Sequence, residues 1–159
     1  MIILGIDPGI TGGAAIISTE TYRKPIVEEA MRMPSYIENK KKLVDADVLF
    51  KWWMEWPVDV AVIEWVHARK GNGVTSSFAF GRATGSVEAV AQLCAKRVIW
   101  VTPQRWKKFY GLSRDKTASL KLAIAKFGDK WKWHKRVEDG VAEAALMALW
   151  FVDNENKKE

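Results

Sequence analysis

Two short apolar runs of the chain each end in a carboxylate. Residues 2–6 are followed by Asp7, and the run that begins at Val58 ends in Glu64. Runs of this length that are rich in β-branched residues and apolar on both faces predict central strands of a sheet covered on both sides. Two neighbouring buried carboxylates repel each other and raise each other's pKa unless a cation lies between them. The pattern therefore predicts a shared divalent metal site, while acceptance of turn N–H groups is the plain alternative for Asp7 alone.

The apolar spacing predicts the other elements. The turn residues Pro8, Gly9, Gly12 and Gly13 predict an antiparallel return strand at residues 14–18. In the first half of the chain, the pattern then predicts an edge strand at 25–33, a helix at 41–56 and an irregular basic loop at 65–77. A helix at 78–96 and a strand at 98–101 follow. The rest of the chain is predicted to form a short basic helix that carries Trp106, Phe109 and Tyr110 as core residues, a helix at 115–127 and a final helix at 137–152.

The final helix opens with a cluster of acids. Asp139 and Glu143 are four residues apart and share one face, whereas the helix dipole is a sufficient reason for Glu138. The helix is otherwise nearly apolar all round, so an inward Glu143 predicts a bound cation. Which of Glu138 and Asp139 reaches that cation stays open.

Length and composition favour one domain at residues 1–153 with a short charged tail at 154–159. The single cysteine, Cys94, rules out an internal disulfide framework, and no apolar run approaches the roughly 20 residues that span a bilayer. We therefore expect an intracellular, soluble protein with no membrane partner.

The positive charge is concentrated in one segment. The formal net charge is +6, yet residues 103–136 carry 11 Lys or Arg against 2 Asp, which leaves −3 for the rest of the chain. A strongly basic segment beside an acidic site predicts a protein that binds a polyanion such as nucleic acid, although a solvated helix face is the simpler alternative.

Several motifs occur in a fixed order: residues 3–9 with Thr11 and Gly12, residues 62–64, 80–85, 102–104 and 139–144. Together they resemble the RuvC-type Holliday junction resolvases, and the glycine after Asp139 is most similar to the bacteriophage branch. The resemblance implies an α/β, ribonuclease H-like fold with a mixed five-stranded sheet flanked by helices. It also implies a homodimer, with residues 78–96 as its surface, that cuts four-way and other branched DNA in the cytoplasm of a bacterial or phage-infected cell.

The resemblance assigns roles to individual residues. It implies that the metal-binding acids are Asp7, Glu64, Asp139 and Glu143, and that Lys107 and Lys116 are catalytic lysines, with Lys108 an equally placed substitute for Lys107. Four hard oxygen ligands suit Mg²⁺, with Mn²⁺ as a substitute, and do not suit Zn²⁺. The expected DNA contacts are His67, Arg69, Lys70, Arg82, Arg105, Lys108 and Arg114.

Two departures from the family weaken the expected selectivity. Bacterial members usually space the last two acids three apart, and His67 stands where they place a larger aromatic wedge. A nuclease that also cuts forks and flaps is the natural consequence. One alternative is a branched-DNA-binding protein with weak or lost nuclease activity. Another is an actin-like sugar kinase or ATPase fragment, but that fold needs two such domains, for which the chain is too short.

Overall fold

The computed structural model describes residues 1–19, 24–67, 71, 73–113, 116–128 and 139–155. The strands and helices in chain order are β1 (Ile2–Asp7), β2 (Gly13–Ser18), β3 (Ile26–Arg32), β4 (Ser35–Glu38), β5 (Lys41–Val44), α1 (Ala46–Met54), β6 (Val60–Glu64), α2 (Val74–Cys94), β7 (Arg97–Val101), α3 (Pro103–Phe109), α4 (Lys116–Phe127) and α5 (Asp139–Glu155).

Five of these strands form one sheet in the order β3-β2-β1-β6-β7. β1 pairs antiparallel with β2, which pairs antiparallel with β3, whereas β1, β6 and β7 run parallel to one another. The apolar strands β1 and β6 are therefore central, as their composition predicts. Helices flank the sheet, so the predicted mixed five-stranded α/β architecture is confirmed.

Helices cover both faces of the sheet. On one face α5 packs with α3 and α4 against Ile3, Val60 and Val62, and on the other face α1 and α2 cover Leu4 and Ile6. α5 lies very close to the centre of the sheet, because a Cβ added at Gly5 would stand only 1.9 Å from the carbonyl oxygen of Ala144. The alternation of side chains along β1 and β6 places Asp7 and Glu64 on the α5 face.

The helix predicted at 41–56 is wrong in its first part. Residues Lys41–Val44 form β5, which pairs with β4 in a separate two-stranded hairpin, and the helix begins only after Asp45. The Asp45 side chain caps it by accepting a hydrogen bond from the backbone N–H of Val48 at 3.1 Å. The apolar residues on either side of this cap share a spacing that resembles one continuous helix.

The second long helix begins earlier than predicted. α2 spans 21 residues from Val74, so the irregular loop predicted at 65–77 ends before that residue. Gly73 stands at its N-cap without a side-chain hydrogen bond, which explains why no capping residue marks the start. None of the helices in the described part of the chain has the length and apolar character needed to cross a membrane.

Candidate active site

Carboxylates from three elements meet at one edge of the sheet. β1 and β6 are parallel neighbours, so their last residues, Asp7 and Glu64, lie at the same edge. The first turn of α5 is joined to this edge by a bridge between Gly12 and Gly140. A Cβ at Gly140 would lie 2.6 Å from Gly12 Cα and 2.8 Å from Asp7 Oδ2, so this approach of α5 requires glycine.

The electrostatic state of Asp7 reflects this convergence. Burial first, and then the negative charges of Glu64 and Glu143, raise the pKa of Asp7 from 3.8 to about 7. A hydrogen bond from the Gly9 backbone and the positive charge of Lys107 act in the opposite direction without cancelling the effect. Three acids thus share one site and lack enough compensating positive charge to keep Asp7 an ordinary carboxylate.

A buried tryptophan holds Glu64. The indole Nε1–H of Trp106 donates to Glu64 Oε1 at 2.9 Å, and the Trp106 side chain is fully buried. The start of α3 is fixed by Thr102, whose side-chain oxygen accepts a hydrogen bond from the backbone N–H of Arg105, and by Pro103 in the first turn. The sequence predicts Trp106 as core, which it is, but gives no indication of the hydrogen bond. A buried indole N–H needs an acceptor, and this requirement is the signal that could have led to Glu64.

Two donors from different helices hold Glu143. Lys107 Nζ lies 2.7 Å from Glu143 Oε1, and the hydroxyl of the buried Ser119 donates to the same oxygen at 3.0 Å. Lys107 also lies 5.0 Å from the centre of the Trp106 ring. Of the two lysines that the sequence offers, it is therefore Lys107 and not Lys108 that reaches the acids. Ser119 carries no recognisable motif, and sequence reasoning missed it.

The chemistry of these donors fits a hard divalent cation. Asp7, Glu64 and Glu143 offer carboxylate oxygens, the ligands that Mg²⁺ prefers, and a cation between them would relieve the repulsion that raises the pKa of Asp7. Within the described ranges, no group of three Asp, Glu, His or Cys side chains is already arranged to hold a metal ion, and Glu143 is hydrogen-bonded to Lys107 and Ser119 instead. Asp139 begins α5 at the same edge, while Glu138 lies outside the described residues.

The predicted DNA-binding residues occupy several surfaces. Arg82 is exposed on α2, and Arg105 and Lys108 are exposed on α3, where Arg105 stacks 5.2 Å from the Trp150 ring. His67 is exposed beyond β6, and its Nε2 accepts a hydrogen bond from Trp65 Nε1 at 2.6 Å. Lys116 is the first residue of α4. Arg69, Lys70 and Arg114 lie outside the described residues.

The sheet order, the strand directions and the flanking helices define a ribonuclease H-like α/β fold, and solved structures that resemble it include a bacterial RuvC. Thermus thermophilus RuvC in complex with a Holliday junction substrate matches with a TM-score of 0.68 and 18% identity over 99% of this chain and 96% of that chain. T. thermophilus RuvC alone gives a TM-score of 0.69 and 17% identity over 98% and 97%.

A protein of yeast mitochondria provides a third match. The yeast mitochondrial Holliday junction resolvase matches with a TM-score of 0.60 and 17% identity over 94% of this chain and 76% of that chain. No protein-family model and no curated protein sequence matches the chain. At these identities, the comparison establishes the RuvC fold.

Proposed function

We propose that this protein is a structure-specific endonuclease that resolves Holliday junctions and related branched DNA by metal-dependent phosphodiester hydrolysis. The observation that carries the proposal is the convergence of Asp7, Glu64 and Glu143 at the sheet edge of a RuvC fold, where burial, together with the charges of the two glutamates, raises the pKa of Asp7 to about 7. A cluster of acids without a function would be replaced by apolar residues at little cost to stability.

The proposed metal ligands are Asp7, Glu64, Asp139 and Glu143, with Mg²⁺ as the natural ion and Mn²⁺ as a substitute. When bound, such an ion activates water and stabilises the leaving oxygen of the phosphodiester. The chain supplies the orientation of the ligands: Trp106 fixes Glu64, and Ser119 fixes Glu143.

Lys107 has two properties that suit it to a phosphodiester substrate. Its ammonium group lies 2.7 Å from Glu143 Oε1, and its side chain is about three-quarters buried, with 23% exposed. A partly desolvated cation at this position stabilises the negative charge that develops on a phosphate in the transition state. We assign Lys116, at the start of α4, as the second lysine of the site, and His67, Arg69, Lys70, Arg82, Arg105, Lys108 and Arg114 as DNA contacts.

We further propose that the active form is a homodimer joined through α2. One exposed stripe of this helix consists of residues spaced three or four apart: Val74, Phe78, Gly81 and Gly85. A Cβ added at either glycine would meet nothing within 4 Å. A stripe of apolar and small residues at this spacing allows a second helix to approach closely. From the glycine that follows Asp139, we also propose that the chain belongs to the bacteriophage branch of these resolvases and acts in the cytoplasm of a bacterial or phage-infected cell.

The experiment compares three labelled substrates of identical sequence: a four-way junction, a replication fork and a linear duplex. Each is incubated with Mg²⁺, with Mn²⁺ or with chelator. Symmetric paired nicks in the junction alone indicate a strict resolvase, and additional cutting of the fork indicates a broader debranching nuclease. Tight junction binding without cutting of any substrate would contradict the proposal and support a junction-binding protein.

A further inference from the structure

A basic hairpin, residues 35–44, projects beside the site. β4 and β5 are joined by a turn in which Asn39 and Lys40 both have positive φ, 48° and 61°. This conformation suits a tight two-residue hairpin turn, which holds the strands in register. Lys40, Lys41 and Lys42 follow one another at the tip, and all three are exposed. Three lysines therefore lie on a backbone held by paired strands.

The base of the basic hairpin is tied to the edge that carries the carboxylates. Asp7 is paired with Gly13, and Gly13 with Arg32, so β3 ends in the same row as Asp7. The backbone N–H of Met33 donates to the carbonyl oxygen of Gly12 at 3.0 Å, in the turn that follows Asp7. With strands about 4.8 Å apart, the end of β3 lies roughly 10 Å from Asp7, comparable to the width of a DNA groove.

The basic hairpin lies on the opposite face of the sheet from Lys107. Its residue Val44 packs with α1 and α2 in the core that covers Leu4 and Ile6, whereas Trp106 packs on the α5 side. A groove between the basic hairpin and α2 is lined by Lys42, Arg82, Tyr36 and Ser86, and by Ile10 from the turn after Asp7. Positive charge is thus present on both sides of the acidic edge.

We propose that the basic hairpin, together with Arg82, binds the sugar-phosphate backbone of DNA on the side of the carboxylates away from α3 and α4. This inference rests on the proposed function, since the DNA is the substrate of the same site. A DNA duplex that crosses the carboxylate edge of the sheet would then contact a basic surface on each face of the sheet. The carboxylates, which repel phosphate, would lie between these two surfaces. The other role open to these lysines is to keep an exposed hairpin from pairing with other chains.

The test is the binding of a labelled four-way junction in chelator, measured over a range of salt concentrations for a Lys40→Gln, Lys41→Gln, Lys42→Gln variant. Each phosphate contact contributes about 0.9 to the slope of log affinity against log salt. We expect this variant to lower the slope by about two to three and to bind at least tenfold more weakly at 100 mM salt.

The matched control changes Lys24, Lys51 and Lys96 to Gln, which removes the same charge. Lys24 and Lys96 precede β3 and β7, at the opposite edge of the sheet, and Lys51 is in the last turn of α1. Its slope should stay close to that of the wild type. A third variant, with Lys40→Arg, Lys41→Arg and Lys42→Arg, keeps the charge and should retain both affinity and slope.

Three results would overturn the inference: a hairpin Gln variant that binds like the wild type, an equal loss in the hairpin and control variants, or loss of binding by the Arg variant. These results are distinct from failure of the proposed function, in which the wild type either binds no junction or binds it without cutting it when Mg²⁺ is present. Melting curves check that the variants fold, as expected for substitutions of exposed side chains.

Discussion

Asp7 holds its carboxyl group in a place that favours the neutral form. Burial and the charges of Glu64 and Glu143 raise its pKa from 3.8 to about 7. Without a bound cation, the protein is therefore destabilised by this group at neutral pH. Such a cost is common at sites where function, and not stability, selects the residue.

We expect Asp7→Asn to stabilise the metal-free protein at pH 8 but not at pH 4. Between pH 4 and pH 7 the unfolded chain releases the Asp7 proton while the folded chain retains it, so rising pH favours unfolding. The effect is complete above pH 7 and corresponds to at most about 4 kcal/mol. Urea unfolding in chelator across this pH range measures it. A free-energy difference between the two proteins that does not change with pH would contradict the raised pKa.

We expect Trp106 to influence the Mg²⁺ dependence of the proposed cleavage through its hydrogen bond to Glu64. Trp106→Phe keeps an aromatic ring in the core but removes the N–H that donates to Glu64. Loss of a partner that orients a metal ligand typically weakens metal binding 10- to 100-fold. We expect the Mg²⁺ concentration for half-maximal cleavage to rise by about this factor, with unchanged junction binding in chelator.

The matched control for this prediction is Trp52→Phe. The indole of Trp52 donates to Glu29, a residue of β3 away from the three converging acids. Its removal should leave the Mg²⁺ dependence unchanged. If Trp106→Phe shifts the Mg²⁺ curve no more than Trp52→Phe does, Trp106 serves packing alone.

Sequence could predict the acids of the site but not the residues that hold them. Asp7 and Glu64 are recognisable because each closes an apolar run, and Glu143 because it interrupts an apolar helix. Trp106 and Ser119 reach their partners across 42 and 24 residues of sequence, and neither belongs to a motif that marks such a contact. Their roles depend on how α3 and α4 pack against the sheet.

At the scale of elements, α3 links the site together. Its consecutive residues Trp106 and Lys107 engage acids of two different elements, Glu64 at the end of β6 and Glu143 in α5. A displacement of this seven-residue helix would therefore disturb both carboxylates at once. The elements were predictable where one apolar pattern persisted, as in β1 and β6. The prediction failed at β5, because the apolar spacing continued across the Asp45 cap.

The contact between α5 and the turn after β1 predicts that Gly140→Ala is severely destabilising. The added methyl would meet the Gly12 backbone at 2.6 Å and Asp7 Oδ2 at 2.8 Å, and backbone atoms cannot move aside easily. We expect a loss of about 3 kcal/mol or more in the free energy of unfolding, at the upper end for overpacking.

Gly9→Ala provides the control for Gly140→Ala. Gly9 lies in the same turn, but its added methyl would come no closer than 3.8 Å to Gly12 N, an ordinary contact. Chemical unfolding should show a small change in the free energy of unfolding for Gly9→Ala and a large loss for Gly140→Ala. Comparable stabilities of the two variants would mean that α5 does not approach the turn as closely as described.

At the scale of the whole molecule, α2 leaves an apolar surface uncovered. Phe78 has 67% of its surface exposed and Val74 has 87%, while Ala83, Val87, Val90 and Ala91 face the sheet. We expect Phe78→Asp to convert a dimer into a monomer at micromolar concentration, as measured by sedimentation velocity, because a charge would be buried at the centre of the contact.

Leu93→Asp is the control for the dimer, because Leu93 is also exposed on α2 but lies off the stripe of Val74, Phe78, Gly81 and Gly85. It should leave the sedimentation coefficient unchanged. A wild-type protein that sediments as a monomer without DNA would contradict the proposed interface.

We expect the carboxylate edge of the sheet to cut branched DNA and not merely to bind it. The most direct measurement follows binding and cleavage of one labelled four-way junction by the wild type and by Asp7→Asn, each with Mg²⁺ and with chelator. We predict that the wild type cuts only with Mg²⁺, and that Asp7→Asn binds with similar affinity but cuts at least a thousandfold more slowly, roughly the loss of 4 kcal/mol of transition-state stabilisation. Normal cleavage by Asp7→Asn, or wild-type cleavage in chelator, would contradict the account.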